Sequence, residues 1–160
     1  MSDANELSIT RIIDAPRALV WRCWVESELL KQWHCPKPWF VSEAKLDVRP
    51  GGASFMIFSG PNGEEQKLPG QYVDVAEGKR RVFTDAFIGD WRPKEGKPFM
   101  TGYVELEDTP DGRTKMTWGA RHWTAEDVEA HKNMGFEQGW GAAAAQLNDL
   151  AKALASEQAA

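Results

Sequence analysis

The stretch WHCPKPW, Trp33 to Trp39, sets a histidine, a cysteine and two tryptophans within seven residues. Three chemistries suit those side chains. His34 and Cys35 are both metal-ligand types, but side chains adjacent in sequence seldom converge on one ion, and a structural zinc wants four ligands. His122, His131 and Cys23 are the remaining His and Cys residues, and Cys23 falls on an apolar helical stripe. No metal and no other cofactor is expected from such spacing. A nucleophilic Cys35 would need a base aimed at it and a third group to orient that base. His34 is too close in the chain for the task, and His122 is the better placed of the two. The third reading makes the segment the aromatic rim of a pocket, with Trp33 and Trp39 walling its mouth and His34, Cys35 and His122 along the edge. It accounts for the most residues.

Aromatic content supports a pocket. The chain holds eight Trp and seven Phe against two Tyr, and large rings in that number suit a voluminous interior or a lined cavity. Trp33, Trp39, Phe58, Phe83, Phe87 and Trp91 fall on elements expected to surround one concave face, as do Trp118, Phe136 and Trp140. Met56 and Met116 join them. Solid filling and cavity lining are both open to such a set. Asp85 lies between Phe83 and Phe87 on what reads as the inward face of a strand. There it would pair with an arginine or act as a general base; if the strand register is shifted, it is simply solvated. Two apparent nucleotide motifs fail on context. Gly139 to Ala144 fits G-x-G-x-x-A but lies inside a helix rather than after a strand, and Gly89 to Lys97 has the wrong spacing for a phosphate loop.

The elements that would position these residues follow from periodicity. Leu7 to Ile13 alternates as a strand. Asp14 reads as the cap of a helix with Pro16 in its first turn and Leu19, Val20, Cys23 and Trp24 as its apolar stripe. Ser27 caps a second short helix, which Pro36 and Pro38 end. Strands follow around Phe40 to Val48 and over Ala53 to Ser59, then Gln71 to Ala76, Arg81 to Phe87, Met100 to Leu106 and Thr114 to Arg121. Turns at Pro50-Gly51-Gly52, Gly60 to Gly63, Glu77-Gly78 and Pro110 to Gly112 separate them. The basic run Lys79-Arg80-Arg81 reads as part of a hairpin turn. Thr124 to Asp127 has the form of a capping box. After Gly135, Phe136, Trp140, Ala143, Leu147, Leu150 and Leu154 recur at helical spacing. The expected fold is α+β: a curled antiparallel sheet of six to seven strands gripping a long C-terminal helix, in one domain over residues 1–160. The continuously apolar run Phe55 to Phe58 needs cover on both faces, and a homodimer would supply it.

A net charge of −5 argues against nucleic-acid binding. No apolar run has the length to span a bilayer. The polar, acidic start MSDANELSIT lacks the layout of a secretory signal, so a cytoplasmic protein with two free thiols is expected.

Taken in order, P-x-x-x-V-W-x-x-W (Pro16 to Trp24), E-L-L-K-Q-W (Glu28 to Trp33), R-P-G-G (Arg49 to Gly52), G-P-N-G (Gly60 to Gly63), V-F-T-D-A-F (Val82 to Phe87), R-H-W-T-A-E-D (Arg121 to Asp127) and M-G-F-E-Q-G-W-G (Met134 to Gly141) resemble the family named after the activator of the heat-shock chaperone ATPase. The resemblance runs from about Glu6 to Leu154. It implies the helix-grip fold of the START-like, or SRPBCC, superfamily, which includes the birch pollen allergen and some polyketide cyclases and which holds apolar ligands between sheet and C-terminal helix. Fold alone does not transfer chemistry. Three functions follow as expectations: a binder of a small apolar or aromatic molecule, a polyketide-cyclase-like enzyme using the same pocket, or a partner of the chaperone ATPase. The last is associated in larger relatives with an additional N-terminal domain, which the chain is read as lacking.

Overall fold

The computed structural model describes residues 5–159. In chain order the elements are β1 (Glu6–Ile13), α1 (Arg17–Val25), α2 (Ser27–Leu30), β2 (Phe40–Leu46), β3 (Ala53–Ser59), β4 (Glu65–Ala76), β5 (Arg80–Thr84), β6 (Met100–Asp108), β7 (Thr114–His122), α3 (Ala125–Asn133) and α4 (Phe136–Ala159). All seven strands pair antiparallel in one sheet, in the order β1-β7-β6-β5-β4-β3-β2.

Because cross-strand partners share a face, the register identifies the inward residues. Ile9, Trp118, Val104, Arg81 and Val75 form one continuous row, and Leu7, Ala120, Gly102, Phe83 and Tyr72 form the next. Met56 and Phe58 extend this face across β3, opposite Ala44 and Val41 of β2. Phe55 and Ile57 point the other way and are half-buried.

Two apolar cores form against that inward face. The larger joins Ile9 and Ile13 of β1, Leu19, Val20 and Trp24 of α1, Trp33, Val104, Trp118 and the stripe Phe136, Ala143, Ala144, Leu147 and Ala151 of α4. The smaller joins Leu30, Cys35, Val41 and Met56, with Trp39 and Phe58 packed against it. Helix α4 thus covers the β1–β7–β6 half of the sheet. The other half is covered by the α1–α2 region and the segment after it, which α4 holds by a side-chain clasp. Gln146 Nε2 donates to the carbonyls of Trp33 and Cys35, at 2.8 Å each, and its Oε1 accepts from Lys37 N–H at 3.1 Å.

Several boundaries differ from expectation. β4 begins at Glu65, six residues earlier than the apolar pattern suggests, because Glu65 to Gly70 pair with β3 before β5 is engaged at Gln71. Pro69 is tolerated in that stretch, where β4 has no β5 partner. β5 ends at Thr84 rather than Phe87. The Asp85 carboxylate accepts the backbone N–H groups of Phe99 (2.9 Å) and Met100 (3.3 Å), which turns the chain out of the sheet. Asp14 does not cap α1, whose first flanking residue is Pro16. It is tied instead to Arg113 (3.2 Å) and to Asn148 of α4 (3.3 Å). Ser27 is the first residue of α2 and not its cap. Thr124 does cap α3, its hydroxyl accepting from Asp127 N–H at 3.1 Å.

Phe83 lies flat over the sheet because its neighbours are glycines. A Cβ added at Gly102 would stand 2.8 Å from Phe83 Cε1, and one at Gly70 would stand 2.9 Å from Cε2. Gly102→Ala is therefore expected to cost roughly 1–3 kcal/mol by overpacking, and less in a Phe83→Leu background, where the ring is gone. Urea unfolding of both pairs checks this; an unchanged midpoint for Gly102→Ala would mean that the ring is not confined.

Candidate functional site

The two cores meet along a seam, and the side chains there come from four directions. α1 contributes Trp24, the segment after α2 contributes His34, β4 contributes Tyr72, and β5 contributes Arg81 and Phe83. His34 bridges the cores: its ring centroid lies 5.0 Å from Trp33, 5.6 Å from Trp118 and 5.7 Å from Trp24 on one side, and 5.8 Å from Phe58 on the other. Although ringed by aromatics, His34 keeps accessible surface, as do Phe58, Phe83 and Trp140. Trp118 stacks on Trp140 of α4, with centroids 4.3 Å apart and planes inclined by 27°.

Arg81 is the unusual member. It is 5% exposed, and its guanidinium carbon sits over the rings of Trp24 (4.8 Å), Tyr72 (5.3 Å) and Phe83 (5.8 Å). Arg80, one residue earlier, faces outward and pairs with Asp74 at 2.8 Å. Strand alternation therefore spends the local acid on the other face, and among the described residues no carboxylate lies within 4.0 Å of Arg81. Burial lowers the Arg81 pKa, opposed in part by Tyr72. Burying a charge costs several kcal/mol, while a desolvated cation–π contact returns about 2. Rings also accept poorly from N–H groups. Arg81 Nε, Trp24 Nε1, Tyr72 OH and His34 Nδ1 are all buried with no hydrogen-bond partner.

A groove of about 430 Å³ is lined by Trp21, Val25, Val48, Arg49, Pro50, Val75 and Glu77. Val75 is the register partner of Arg81, so the groove floor adjoins the buried cation.

The structure brings Trp33, Met56, Phe58, Met116, Trp118, Phe136 and Trp140 to the two cores, with Trp39 beside the smaller one, and the strand register puts Phe83 on the same inward face. Other expected site residues are placed elsewhere. Within WHCPKPW, Trp33 and Cys35 are buried and latched to α4, whereas Lys37 and Pro38 are exposed. Trp33 Nε1 donates to Cys23 O at 2.9 Å. His34 lies in the seam rather than at an edge. His122 is buried away from it: its Nε2 lies 2.8 Å from Nδ1 of His131, and its Nδ1 lies 3.3 Å from Asn5 O. Phe87 and Trp91 belong to the loop after β5, where Trp91 is 51% exposed. Gln71 Oε1 fastens that loop by accepting from Gly89 N–H (3.2 Å) and Trp91 N–H (2.8 Å). Asp85 is neither paired with an arginine nor left to solvent. Its oxygens are spent on backbone amides, with Lys94 at 4.0 Å.

Arg81, Tyr72 and Trp24 were not among the expected site residues. The signal for Arg81 was present: it stands two residues before Phe83 on the same strand, so any register that turns Phe83 inward turns Arg81 inward too. Reading Lys79-Arg80-Arg81 as a turn hid it. Among the described residues, no cluster of three His, Cys, Asp or Glu side chains could hold a metal, and no helix is long and apolar enough to cross a membrane.

A curled antiparallel sheet with two short helices after β1 and a long C-terminal helix against its inward face defines the helix-grip class. Within that class, the chain belongs to the activator of Hsp90 ATPase homolog 1-like family, which its residues 14–152 match. It is similar over the full length of both chains to a structure of a protein from Nitrosomonas europaea, at 36% identity and a TM-score of 0.91. A Rhodobacter sphaeroides protein shares the fold at 19% identity and a TM-score of 0.81, covering 96% of this chain and 97% of that one. An AHSA1-like protein from Aeromonas hydrophila does so at 17% identity and a TM-score of 0.70, with 93% of each chain covered. No protein of curated function matches the sequence.

Two outcomes follow from the buried titratable groups. Burial, with the Arg81 charge as second cause, pushes His34 down to about 3, and burial with His122 beside it pushes His131 down to about 4. Unfolded, each titrates near 6.5. Below that pH the unfolded chain takes up protons that the folded chain refuses, so stability is whole above about pH 6.5 and falls as pH drops towards 4. Urea midpoints across that window are expected to decline with falling pH, and His34→Phe to remove about half of the slope, since it deletes one of two such groups. Burial also raises both thiols, Cys23 and Cys35, to about 11. Iodoacetamide at neutral pH is expected to label neither in the folded protein and both after denaturation; rapid native labelling of Cys35 would restore it as a nucleophile.

Proposed function

We propose that this protein binds a small apolar or aromatic molecule between its sheet and its helices, as a carrier, sensor or sequestering protein. The observation that carries this reading is the seam itself: two separate cores flank it, and Phe58, Phe83, His34 and Trp140 keep accessible surface on inward positions. A solid core would have covered those rings. The adjoining groove, at about 430 Å³, lies within the usual range for small-molecule sites, roughly 300–1,000 Å³. Membership of a helix-grip family agrees with this use of the fold.

Binding is favoured over cyclase-type catalysis by the state of the candidate proton carriers. Cys35 is raised to about 11, and His34 is lowered to about 3. Asp85 is engaged by backbone amides outside the seam. Acid–base catalysis wants a group titrating near the working pH within reach of substrate; Cys35 and His34 are held away from that pH, and the Asp85 carboxylate is taken up by backbone amides.

Phenylnaphthylamine, a neutral aromatic probe, is expected to bind saturably at one molecule per chain, quenching tryptophan fluorescence without being converted. Native mass spectrometry of protein purified from its own host is expected to retain a small organic molecule. Absence of both would remove the reading.

A further inference from the structure

Arg81 is not accounted for by an apolar guest alone. Met or Leu at that position would fill the same volume without desolvating a charge, yet a guanidinium lies there at 5% exposure. Its row neighbours across the sheet, Val75 and Val104, are apolar. The acids nearest in sequence and register, Asp74 and Glu105, are the partners of Arg80 on the outer face. Around Arg81 every unpartnered buried group can donate: its own Nε and Trp24 Nε1 only donate, Tyr72 OH donates or accepts, and His34 Nδ1 is a donor in one tautomer. The Trp24 and Tyr72 rings lie 4.8 and 5.3 Å from the guanidinium carbon, which puts these groups in one neighbourhood. Donors clustered around a cation call for an oxyanion, and a planar guanidinium suits a carboxylate-type head that can accept two parallel hydrogen bonds.

We propose that Arg81 anchors the head of an amphipathic monoanion, a molecule with one carboxylate-type oxyanion and an apolar or aromatic body. The body lies along Phe83, Phe58 and the seam tryptophans. The head reaches Arg81 beside Val75, where the groove adjoins the cation. This rests on the binding reading above and adds to it the charge of the ligand and the residue that recognises it.

Anilinonaphthalene sulfonate and phenylnaphthylamine share an aromatic body and differ by the anionic group. Wild-type protein is expected to bind the sulfonate about tenfold more tightly than the neutral compound or better. Arg81→Met is expected to abolish that preference by weakening the sulfonate while leaving phenylnaphthylamine within about threefold. Arg49→Met, which removes the exposed cation of the groove, is expected to keep the preference. Saturable binding of the neutral probe with no preference for the anion overturns the proposal and leaves the binding reading standing. So does a preference that survives Arg81→Met or disappears in Arg49→Met. Failure of both probes to bind wild type removes the binding reading, and this one with it. If circular dichroism shows that Arg81→Met has lost its fold, decanoate and decanol are compared as displacers of phenylnaphthylamine from wild type and from Arg81→Lys and Arg49→Met. Decanoate is expected to act at about tenfold lower concentration on wild type and Arg49→Met, with the advantage reduced in Arg81→Lys, which keeps the charge but loses the fork; equal potency on wild type, or an advantage confined to proteins that retain Arg49, overturns the proposal.

Discussion

The inward face of the sheet is too wide for one helix. Seven strands at about 4.8 Å spacing span about 29 Å, and an α-helix with its side chains is about 10 Å across. α4 lies over the β1 side, where Ala143, Ala144 and Ala151 permit close approach and Trp140 stacks on Trp118. The β2 side has to be covered by something else. That cover is the chain from α1 to Trp39, and Gln146 joins it to α4 by three hydrogen bonds to its backbone. Two cores and a seam between them are the consequence.

The seam sets the electrostatics of the interior. Desolvation is the first cause acting on Arg81, His34, Cys35 and Cys23, and in each it works against the charged form. His34 and the thiols can answer by staying neutral. Arg81 cannot within the ordinary pH range, so its charge is held against three aromatic faces. The same strand places Arg80 outside with Asp74, and the difference between the two arginines is only the pleat. On the outer surface, Glu6 engages both Tyr103 (3.0 Å) and Arg121 (2.6 Å), an arrangement in which every charge has a partner and which asks for no ligand.

Much of the architecture was legible in the chain. Two-residue alternation located most strands, the 3.6-residue recurrence from Phe136 to Leu154 located α4, and Thr124 signalled the start of α3. Legibility failed where a side chain from far away took over a local role. Asp14 looked like a cap, but Arg113 and Asn148 claimed its carboxylate. The strand at Arg81 looked three residues longer at its end than it is, because the backbone amides of Phe99 and Met100 draw Asp85 out of the sheet. WHCPKPW looked like a rim because its residue types suit one, and Gln146, over a hundred positions later, holds its Trp33 and Cys35 inside.

Periodicity is a local property, set by backbone geometry that repeats every two or 3.6 residues. The residue order alone therefore determined the kinds of element, their succession and the apolar side of each. Which sides face one another is decided by register and by long-range hydrogen bonds, and these depend on the whole assembled sheet. Only the tertiary structure placed Arg81 beside Trp24, Tyr72 and His34, residues drawn from four separate segments, and only it left that charge without an acid.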